Sequence, residues 1–296
     1  MAMKRILISG LVNTETTVRV RKFPIDYYPI DYPFFGIDTA VSGVAYNIAK
    51  ALTVLGDEVV LTSMIGSDFA AAYIRQELAD LGIDSSKVRP KLKQTPSSVV
   101  LYDPTGRRQI YCDLKDIQET PYDFDPSCLE GVDLVAACNI NFNRPLLKLA
   151  KAAGKLIATD VHVMSNIYDD YNRDFLEAAD ILFLSDEGLG ENYRDFIWQL
   201  AHTYPAKVIV LGRGSKGAAM YLREEERLEE YPAVSFGQVV NTVGAGDALF
   251  SAFLHFYAKG FDPRQALSCA QRFAARKITV SGASRGFVTE EEVLKM

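Results

Sequence analysis

The sequence predicts an α/β fold with a mostly parallel sheet and helices on both of its faces. Short apolar runs, of the length of buried strands, alternate with amphipathic stretches through most of the 296 residues. This alternation is typical of βαβ units, in which a helix connects each strand to a parallel neighbour. The runs predicted as buried strands are Arg5–Ser9, Glu58–Ser63, Asp133–Ala137, Lys155–Thr159, Asp180–Leu184 and Lys207–Leu211.

Two of the stretches between these strands carry clear helix signals. In Gly43–Leu55 the apolar residues recur at three- and four-residue spacing, so they share one face. The second stretch, Asp68–Leu81, begins with a residue that can cap a helix N-terminus and stops before Gly82. Both stretches are therefore predicted to be helices that pack on the sheet.

Two regions, at about residues 12–39 and 97–113, interrupt the alternation. In the first, Thr17–Arg21 alternates between polar and apolar residues like a half-exposed strand. In the second, two strand-like runs flank Asp103–Gly106, whose composition is typical of a β-hairpin turn. We therefore predict a small separate β-layer, which could serve as a lid.

The first of these regions also contains a cluster of aromatic residues among prolines. The rings could stack on a substrate, but covering the apolar face of the lid or forming a homodimer contact is the favoured interpretation. The cluster consists of Tyr27, Tyr28, Tyr32, Phe34 and Phe35.

The bulk composition limits the classes of function. Apolar residues make up 48% of the chain and charged residues 24%, a balance typical of soluble globular proteins. The formal net charge is −6 and the basic residues are scattered, which argues against nucleic acid as a partner. No apolar run has the length of a membrane span or a secretory leader, so we expect a cytoplasmic protein with no membrane partner. The four cysteines lack C-x-x-C spacing, which gives no support for a zinc or redox site.

The segment Asn241–Ala248 carries the strongest chemical signal. Its small residues let a ligand approach the backbone where a helix begins, and the first N–H groups of a helix have no partner within it. Such a helix start attracts anions, and the helix dipole adds to the attraction. Asp247 would lie in the first turn, where its carboxylate could accept the proton of an attacking hydroxyl. A glycine-rich loop that Asp247 merely caps is the alternative.

Two further segments fit a ligand site. Gly212–Gly217 matches the G-x-G-x-x-G pattern of dinucleotide-binding folds, but Ala218–Leu222 after it reads as a strand rather than a helix. We therefore expect a strand–loop–strand turn that lines a nucleotide site. In Ser42–Asn47, which opens a helix, Gly43 allows close approach and the Asn47 amide could bind a hydroxyl.

Taken together, these segments resemble the ribokinase-like (PfkB-type) carbohydrate kinase family over nearly the whole chain. The similarity runs through Leu55–Val59, Ile65–Asp68 and Leu81–Asp84, and its most diagnostic part is Thr242–Asp247. The resemblance implies one three-layer α/β/α domain over residues 1–296, with a β-sheet lid.

The resemblance also implies transfer of the γ-phosphoryl group of ATP to a substrate hydroxyl. In that reaction Asp247 is the catalytic base, and Gly244, Ala245 and Gly246 form the anion hole. The residues implied at the nucleotide are Ser185, Gly212, Gly214, Gly217, Asn241 and Thr242, and those implied at the substrate are Asn13, Glu15, Ser42, Gly43 and Asn47.

Several positions depart from the family pattern. The motif that organises Mg²⁺ should fall at Ser185–Gly188, where its two signature residues are absent, so Asp186 or Glu187 is expected to supply the carboxylate. Asn241 stands where an Asp often helps to hold a monovalent cation, so activation by K⁺ stays open. His162 stands where many members have Asn, and a core or surface role is favoured over a catalytic one.

The residue types at the implied substrate site indicate the acceptor. The polar side chains of Asn13, Glu15 and Asn47 suit the hydroxyl groups of a sugar, so we predict an unphosphorylated sugar or polyol that is phosphorylated on a hydroxymethyl group. A nucleoside is the runner-up, because the aromatic cluster could stack on a base. A phosphorylated sugar would need a basic group near the lid, such as Arg108. A protein that binds sugar or nucleotide without catalysis is the non-enzymatic alternative.

Overall fold

The computed structural model describes residues 3–296, and within this range nine strands form one large sheet. Its strand order is β13-β12-β11-β10-β9-β8-β1-β4-β5, with β12 and β13 antiparallel and the other strands parallel. The strands of the large sheet are β1 (Arg5–Ser9), β4 (Glu58–Ile65), β5 (Val88–Pro90), β8 (Leu134–Ala137), β9 (Leu156–Val163), β10 (Ile181–Ser185), β11 (Val208–Gly212), β12 (Ala218–Leu222) and β13 (Arg227–Tyr231).

Helices cover both faces of this sheet. One apolar layer joins the sheet to α1, α2, α6, α7 and α8, and a second layer joins its opposite face to α3, α4 and α5. The result is the predicted α/β/α arrangement. The helices are α1 (Val44–Leu55), α2 (Phe69–Asp80), α3 (Arg144–Ala152), α4 (Arg173–Ala178), α5 (Tyr193–Thr203), α6 (Ala245–Ala258), α7 (Pro263–Lys277) and α8 (Glu290–Lys295).

A second, smaller sheet takes its strands from the two regions that interrupt the βαβ pattern. The strand predicted at Thr17–Arg21 is observed at Asn13–Arg19, and the last strand of the first region continues to Ser42. The order of the small sheet is β3-β2-β6-β7, with a parallel pair, β2 and β6, at its centre and antiparallel strands outside it. All six predicted buried strands of the large sheet and the predicted hairpin are confirmed. The strands of the small sheet are β2 (Asn13–Arg19), β3 (Ile37–Ser42), β6 (Ser97–Tyr102) and β7 (Arg108–Asp113).

Helix α6 is fixed at both ends. At its start it contacts α1, and His255, about three turns further on, is fully buried. The His255 Nδ1 atom lies 2.7 Å from a carboxylate oxygen of Asp57, and its Nε2 atom lies 3.6 Å from a carboxylate oxygen of Glu290. The helix that carries Asp247 is therefore held against α8 and against the segment that follows α1 by polar contacts as well as by apolar packing.

Within residues 3–296, we find no helix with the length and the apolar character that crossing a bilayer requires.

Candidate active site

A cleft of about 790 Å³ opens at the carboxyl ends of the parallel strands. In parallel α/β sheets this edge is where ligands usually bind, because the loops after each strand and the starts of the helices converge there. Three strand ends contribute to the cleft wall: β9 through Asp160 and His162, β10 through Ser185, and β11 through Gly212. The first turn of α6 forms the floor between these strand ends and the small sheet.

The loop before α6 has a conformation that requires glycine at its turn. Gly244, the N-cap of the helix, has φ +77°, and a Cβ atom at this position would lie 2.3 Å from the Ala283 carbonyl oxygen. Gly246 differs, because a Cβ atom there would meet no heavy atom within 4 Å and would extend into the cleft. The first glycine therefore allows the turn, and the second keeps space free for a ligand.

The backbone hydrogen bonds of this loop decide which N–H groups can bind an anion. The Ala245 N–H donates to the Thr242 carbonyl at 3.2 Å, so it is partly used inside the loop. Within the described part of the chain, the N–H groups of Gly244, Gly246 and Asp247 have no backbone acceptor. These three groups sit at the positive end of the α6 dipole, an arrangement that favours phosphate.

Asp247 receives a hydrogen bond from the side of the cleft opposite the strands. The Asn47 Nδ2 atom, on α1, donates to an Asp247 carboxylate oxygen at 2.6 Å. Burial raises the pKa of Asp247 above its usual value, while the Asn47 hydrogen bond and the nearby His162 ring act in the opposite direction. Asn47 thus orients the carboxylate and favours its ionised form.

A row of polar side chains continues from Asp247 onto the small sheet. The Ser42 hydroxyl donates to Glu15 at 3.3 Å, and the Asn13 amide donates to the Ser98 hydroxyl at 3.1 Å. Burial raises the pKa of Glu15, and the negative charge of Asp247 adds to this effect, whereas the Ser42 hydrogen bond opposes it. The side-chain amide oxygen of Asn13 is buried and has no partner among the described residues, so it can accept a hydrogen bond from a ligand hydroxyl.

The small sheet also contacts the loop before α6 directly. Arg108, the first residue of β7, extends into the cleft wall, and its Nη1 atom donates to the Thr242 hydroxyl at 3.0 Å. This contact places a guanidinium group beside the N–H groups that precede and begin α6. The small sheet therefore covers the cleft in this structure and brings a positive charge to it.

The opposite end of the cleft is lined mainly by glycines and apolar side chains. Gly212, Gly214 and Gly217 lie along one wall, in the turn between β11 and β12. Farther out, the wall is apolar and includes Ala274 and Ile278 from the end of α7. A wall of glycine backbone and aliphatic side chains fits the flat, apolar faces of a nucleobase.

Comparison with known proteins identifies the kind of protein that carries this cleft. The sequence profile of the pfkB family carbohydrate kinases matches residues 3–290. The chain belongs to this family. The chain is 26% identical over 264 residues to a fructosamine kinase of Bacillus subtilis. The aligned residues cover 88% of this chain and 89% of that protein.

Solved structures agree with this assignment. A microbiome-derived acarbose kinase superposes with a TM-score of 0.88 at 26% identity, over 100% of this chain and 99% of that one. Arabidopsis thaliana ribokinase in complex with ribose and ATP gives a TM-score of 0.82 at 21% identity, over 99% of this chain and 98% of that one, and shows the shared fold. The protein is thus an ATP-dependent phosphotransferase of the PfkB family whose acceptor is an alcohol group of a sugar or nucleoside.

Most of the residues predicted for the site of this kinase lie together. The cleft wall includes Gly244–Asp247, Thr242, Ser185, Glu187 and the three glycines after β11, and Asn47 contacts Asp247. The predicted substrate residues Asn13, Glu15, Ser42 and Gly43 are not part of this cleft wall, and Glu15 and Ser42 line a separate pocket. Two further predicted residues, Asn241 and Asp186, are also outside the wall. The Asn241 side chain accepts a hydrogen bond from the Val243 N–H at 2.7 Å, and an Asp186 oxygen lies 3.8 Å from the Arg213 Nε atom.

The predicted metal ligands can be compared with what Mg²⁺ requires. Among residues 3–296 no group of three or more His, Cys, Asp or Glu side chains could hold a metal ion. Mg²⁺ in kinases is bound mainly by phosphate oxygens and water, with one or two carboxylates. Besides Asp247, two carboxylates line the cleft, Glu187 after β10 and Asp160 on β9, so these residues fit a metal that arrives with the nucleotide.

Three residues of the site were not assigned a role from the sequence. His162 has φ +59° and lines the cleft, where its ring lies 3.7 Å from an Asp160 oxygen. The second residue is Asp160 itself. The third, Lys277, is fully buried behind the loop that precedes α6. A sequence signal for Lys277 is absent, because a lysine at the end of a helix is ordinarily exposed to solvent.

Proposed function

We propose that this kinase transfers the γ-phosphoryl group of ATP to a hydroxymethyl group of an unphosphorylated sugar or polyol, with Asp247 as the base. The observation that carries the proposal is the hydrogen bond from Asn47 to Asp247 at the N-terminus of α6. It holds a carboxylate between the free N–H groups of the helix start and the polar row on the small sheet. A phosphoryl acceptor held by that row would be next to its base.

The proposed step divides the work between the base and the backbone. The pKa of an alcohol is too high for a carboxylate to deprotonate it fully beforehand, so Asp247 takes the proton as the oxygen attacks phosphorus. The N–H groups of Gly244 and Gly246 stabilise the charge on the transferring phosphoryl group. Arg108 adds positive charge from the small sheet, which acts as the lid of the site.

ATP would bind with its base against the apolar wall and its phosphates directed to the start of α6. The carboxylates of Glu187 and Asp160 would hold the accompanying Mg²⁺, directly or through water, and Asp186 is less suited because it faces Arg213. The metal supplies charge neutralisation for the β- and γ-phosphates.

The side chains near Asp247 support a sugar rather than a nucleoside as the acceptor. Asn13, Glu15 and Ser42 offer hydrogen-bonding groups that match several hydroxyls. Among the described residues, neither these three side chains nor the rings of the aromatic cluster line the large cleft, but Glu15 is close enough to Asp247 for the two charges to interact. Two relatives are named for fructosamine and acarbose, both of which are sugar derivatives.

A panel of acceptors tests this assignment. ADP release would be measured with MgATP and free sugars, polyols, amino sugars, sugar phosphates and nucleosides, with the Asp247→Asn variant as the background. We expect the highest kcat/KM with an unphosphorylated sugar or polyol. A nucleoside or a sugar phosphate with a clearly higher kcat/KM than every free sugar would overturn the order of acceptors and leave the role of Asp247 to be tested separately.

We also propose that the lid mediates a homodimer. Its aromatic cluster is solvent-exposed in a single chain: Tyr27 is 88% exposed and Phe35 fully so. Exposed rings in such number are typical of a contact surface. Light scattering after size exclusion should give the mass of two chains for the wild type and of one chain after Tyr27→Ser and Phe35→Ser together. A wild-type monomer at tens of micromolar protein would refute the proposal.

A further inference from the structure

Lys277 is a buried cation at the back of the phosphate loop, which we define as residues 241–246. It is the last residue of α7, its exposed fraction is 0%, and its ammonium group donates a hydrogen bond to the Val243 carbonyl. Val243 directly precedes Gly244, so the ammonium group is hydrogen-bonded to the turn that presents the free N–H groups. It does not line the cleft and therefore cannot be a ligand to substrate in this arrangement.

A buried ammonium is unfavourable unless neighbouring charges and dipoles compensate for its lost hydration. Two carboxylates do so here, Asp247 on α6 and Glu15 on β2, while the Arg108 guanidinium on β7 opposes them. The C-terminal end of α7 adds the negative pole of a helix dipole. Burial nevertheless outweighs these contributions and lowers the pKa of Lys277 from 10.5 to about 8. The fold thus keeps a charged lysine at this position although the burial of its charge destabilises the folded state.

The same loop has little left to offer a free monovalent cation. Alkali ions bind to carbonyl and carboxylate oxygens that replace their hydration shell. The Val243 carbonyl is taken by Lys277, and the side-chain oxygen of Asn241 is taken by the Val243 N–H. Asn241 also carries no charge with which to attract an ion. These two oxygen atoms of the loop are therefore occupied by groups of the protein itself.

We propose that the Lys277 ammonium is a built-in cation that holds the phosphate loop in its anion-binding conformation and makes the kinase independent of K⁺. Lys277 is thus a positioning residue, acting through the loop. The inference rests on the proposed role of the loop in binding phosphate. Below the pKa of Lys277, a covalently attached cation is present at the loop without a binding step, whereas a free ion would have to bind before ATP or together with it.

The cation dependence of the wild type is the first test, because it needs no variant. ADP formation and the affinity for a non-hydrolysable ATP analogue would be measured in tetramethylammonium chloride and in KCl at equal ionic strength. We expect less than about a twofold difference between the two salts. Activation of the wild type by K⁺ of tenfold or more would overturn the proposal.

The second test removes the charge while keeping the length of the side chain. Loss of a charge-assisted hydrogen bond is worth about 1.5–3 kcal/mol, so Lys277→Met should weaken analogue binding about 10- to 100-fold in tetramethylammonium chloride. Lys277→Ala also leaves a space, so K⁺ or methylammonium should restore part of its binding. Lys277→Met with the affinity of the wild type would contradict the proposal.

A matched control separates this role from stability. Lys259, at the end of α6, is also largely buried and pairs with Glu290, far from the loop. Lys259→Met should lower the melting temperature without changing analogue affinity or cation dependence. Binding of the analogue requires neither the base nor the acceptor. A wild type that binds the analogue through Lys277 but phosphorylates no acceptor would therefore refute the proposed function and leave the role of Lys277 standing.

The pH dependence distinguishes a lysine that holds the loop from one that only affects stability. The first changes both the free energy of unfolding and the analogue affinity with pH, and the second changes only the free energy of unfolding. Because the pKa of Lys277 is lower in the folded than in the unfolded state, the unfolded chain binds more protons between about pH 8 and 10.5, and the free energy of unfolding gains a stabilising contribution as pH rises. Analogue affinity should fall over the same range, because the cation is lost. The two opposite trends should both be absent in Lys277→Met, and an affinity trend unchanged in that variant would count against the proposal.

Discussion

The two ends of the site differ in the kind of group that would bind a ligand, backbone at one end and side chains at the other. At the proposed phosphoryl end, the backbone of the loop before α6 would provide the binding groups, and Gly244 fits against Ala283 with no space for a side chain. At the proposed acceptor end, the binding groups would be side chains on the small sheet, such as Asn13 and Glu15. Side chains at the acceptor end can be replaced without moving the loop. The acceptor can therefore change while the backbone groups at the phosphoryl end stay the same.

The largest effect should come from the carboxylate that lies between the two ends. Asp247→Asn keeps the shape and the contact with Asn47 but removes the base, so kcat should fall about 10²- to 10⁴-fold. The affinity for ATP should change little, since the N–H groups of the loop remain. Steady-state kinetics with the best acceptor of the panel would measure both. A kcat near that of the wild type would remove Asp247 from the role of base.

The backbone character of the phosphoryl end can be tested with two alanines. Gly244→Ala would place a Cβ atom on a residue with φ +77° and 2.3 Å from a carbonyl oxygen, so the free energy of unfolding should fall by at least about 1–3 kcal/mol. Gly246→Ala serves as the matched variant, because a Cβ atom there meets no protein atom within 4 Å. It should retain stability, measured by chemical denaturation, and lose ATP affinity, measured by calorimetry. The distinction fails if both variants unfold alike.

The side-chain character of the acceptor end predicts a smaller and more selective effect. Glu15→Gln removes a charge that we expect to accept a substrate hydroxyl, so KM for the acceptor should rise about tenfold. The KM for ATP should not change. Asp113→Asn on the same sheet is the control, because Asp113 is exposed and pairs with Lys115. Equal changes in the KM values for acceptor and ATP would place Glu15 elsewhere in the mechanism.

The pH profile reports on the contact that joins the two ends. Since burial raises the pKa of Asp247, activity should be lost on the acid side at a higher pH than for an ordinary aspartate. The ionised base is the active form, so kcat/KM rises with pH across this limb. Asn47→Ala removes the hydrogen bond that lowers the pKa of Asp247, and the limb should move to still higher pH. A limb that stays in place would mean that the hydrogen bond only orients the carboxylate.

The fold was predictable because its signals are local. The strand Arg5–Ser9 was predicted with its observed boundaries, and the other buried strands differ from prediction by at most a few residues at their ends. Apolar runs bounded by turn residues identify such strands without knowledge of their neighbours. Edge strands such as β5 and β13 were not predicted, because they are short or polar and their position depends on pairing with a strand that is already in place.

Without the family resemblance, the residues predict a site most strongly where it is contiguous in sequence. Gly244–Asp247 is a single segment, and its small residues before an apolar helix predict an anion site. Arg108 reaches Thr242 across 134 positions, and Lys277 reaches Val243 across 34. In sequence, Lys277 follows Arg276 at the end of a helix, a pattern typical of a solvent-exposed terminus. Only the packing of α7 beneath the loop distinguishes a buried ammonium from an exposed one.

The hydrogen bond between Asn47 and Asp247 joins residues that are 200 positions apart. While the chain is being synthesised, the strands of the small sheet and α1 therefore leave the ribosome before the proposed base and the phosphate loop. Because α1 packs against α6, the N-terminal part of the site also lacks its packing partner until then. We therefore expect a chain truncated before α6 to have no kinase activity.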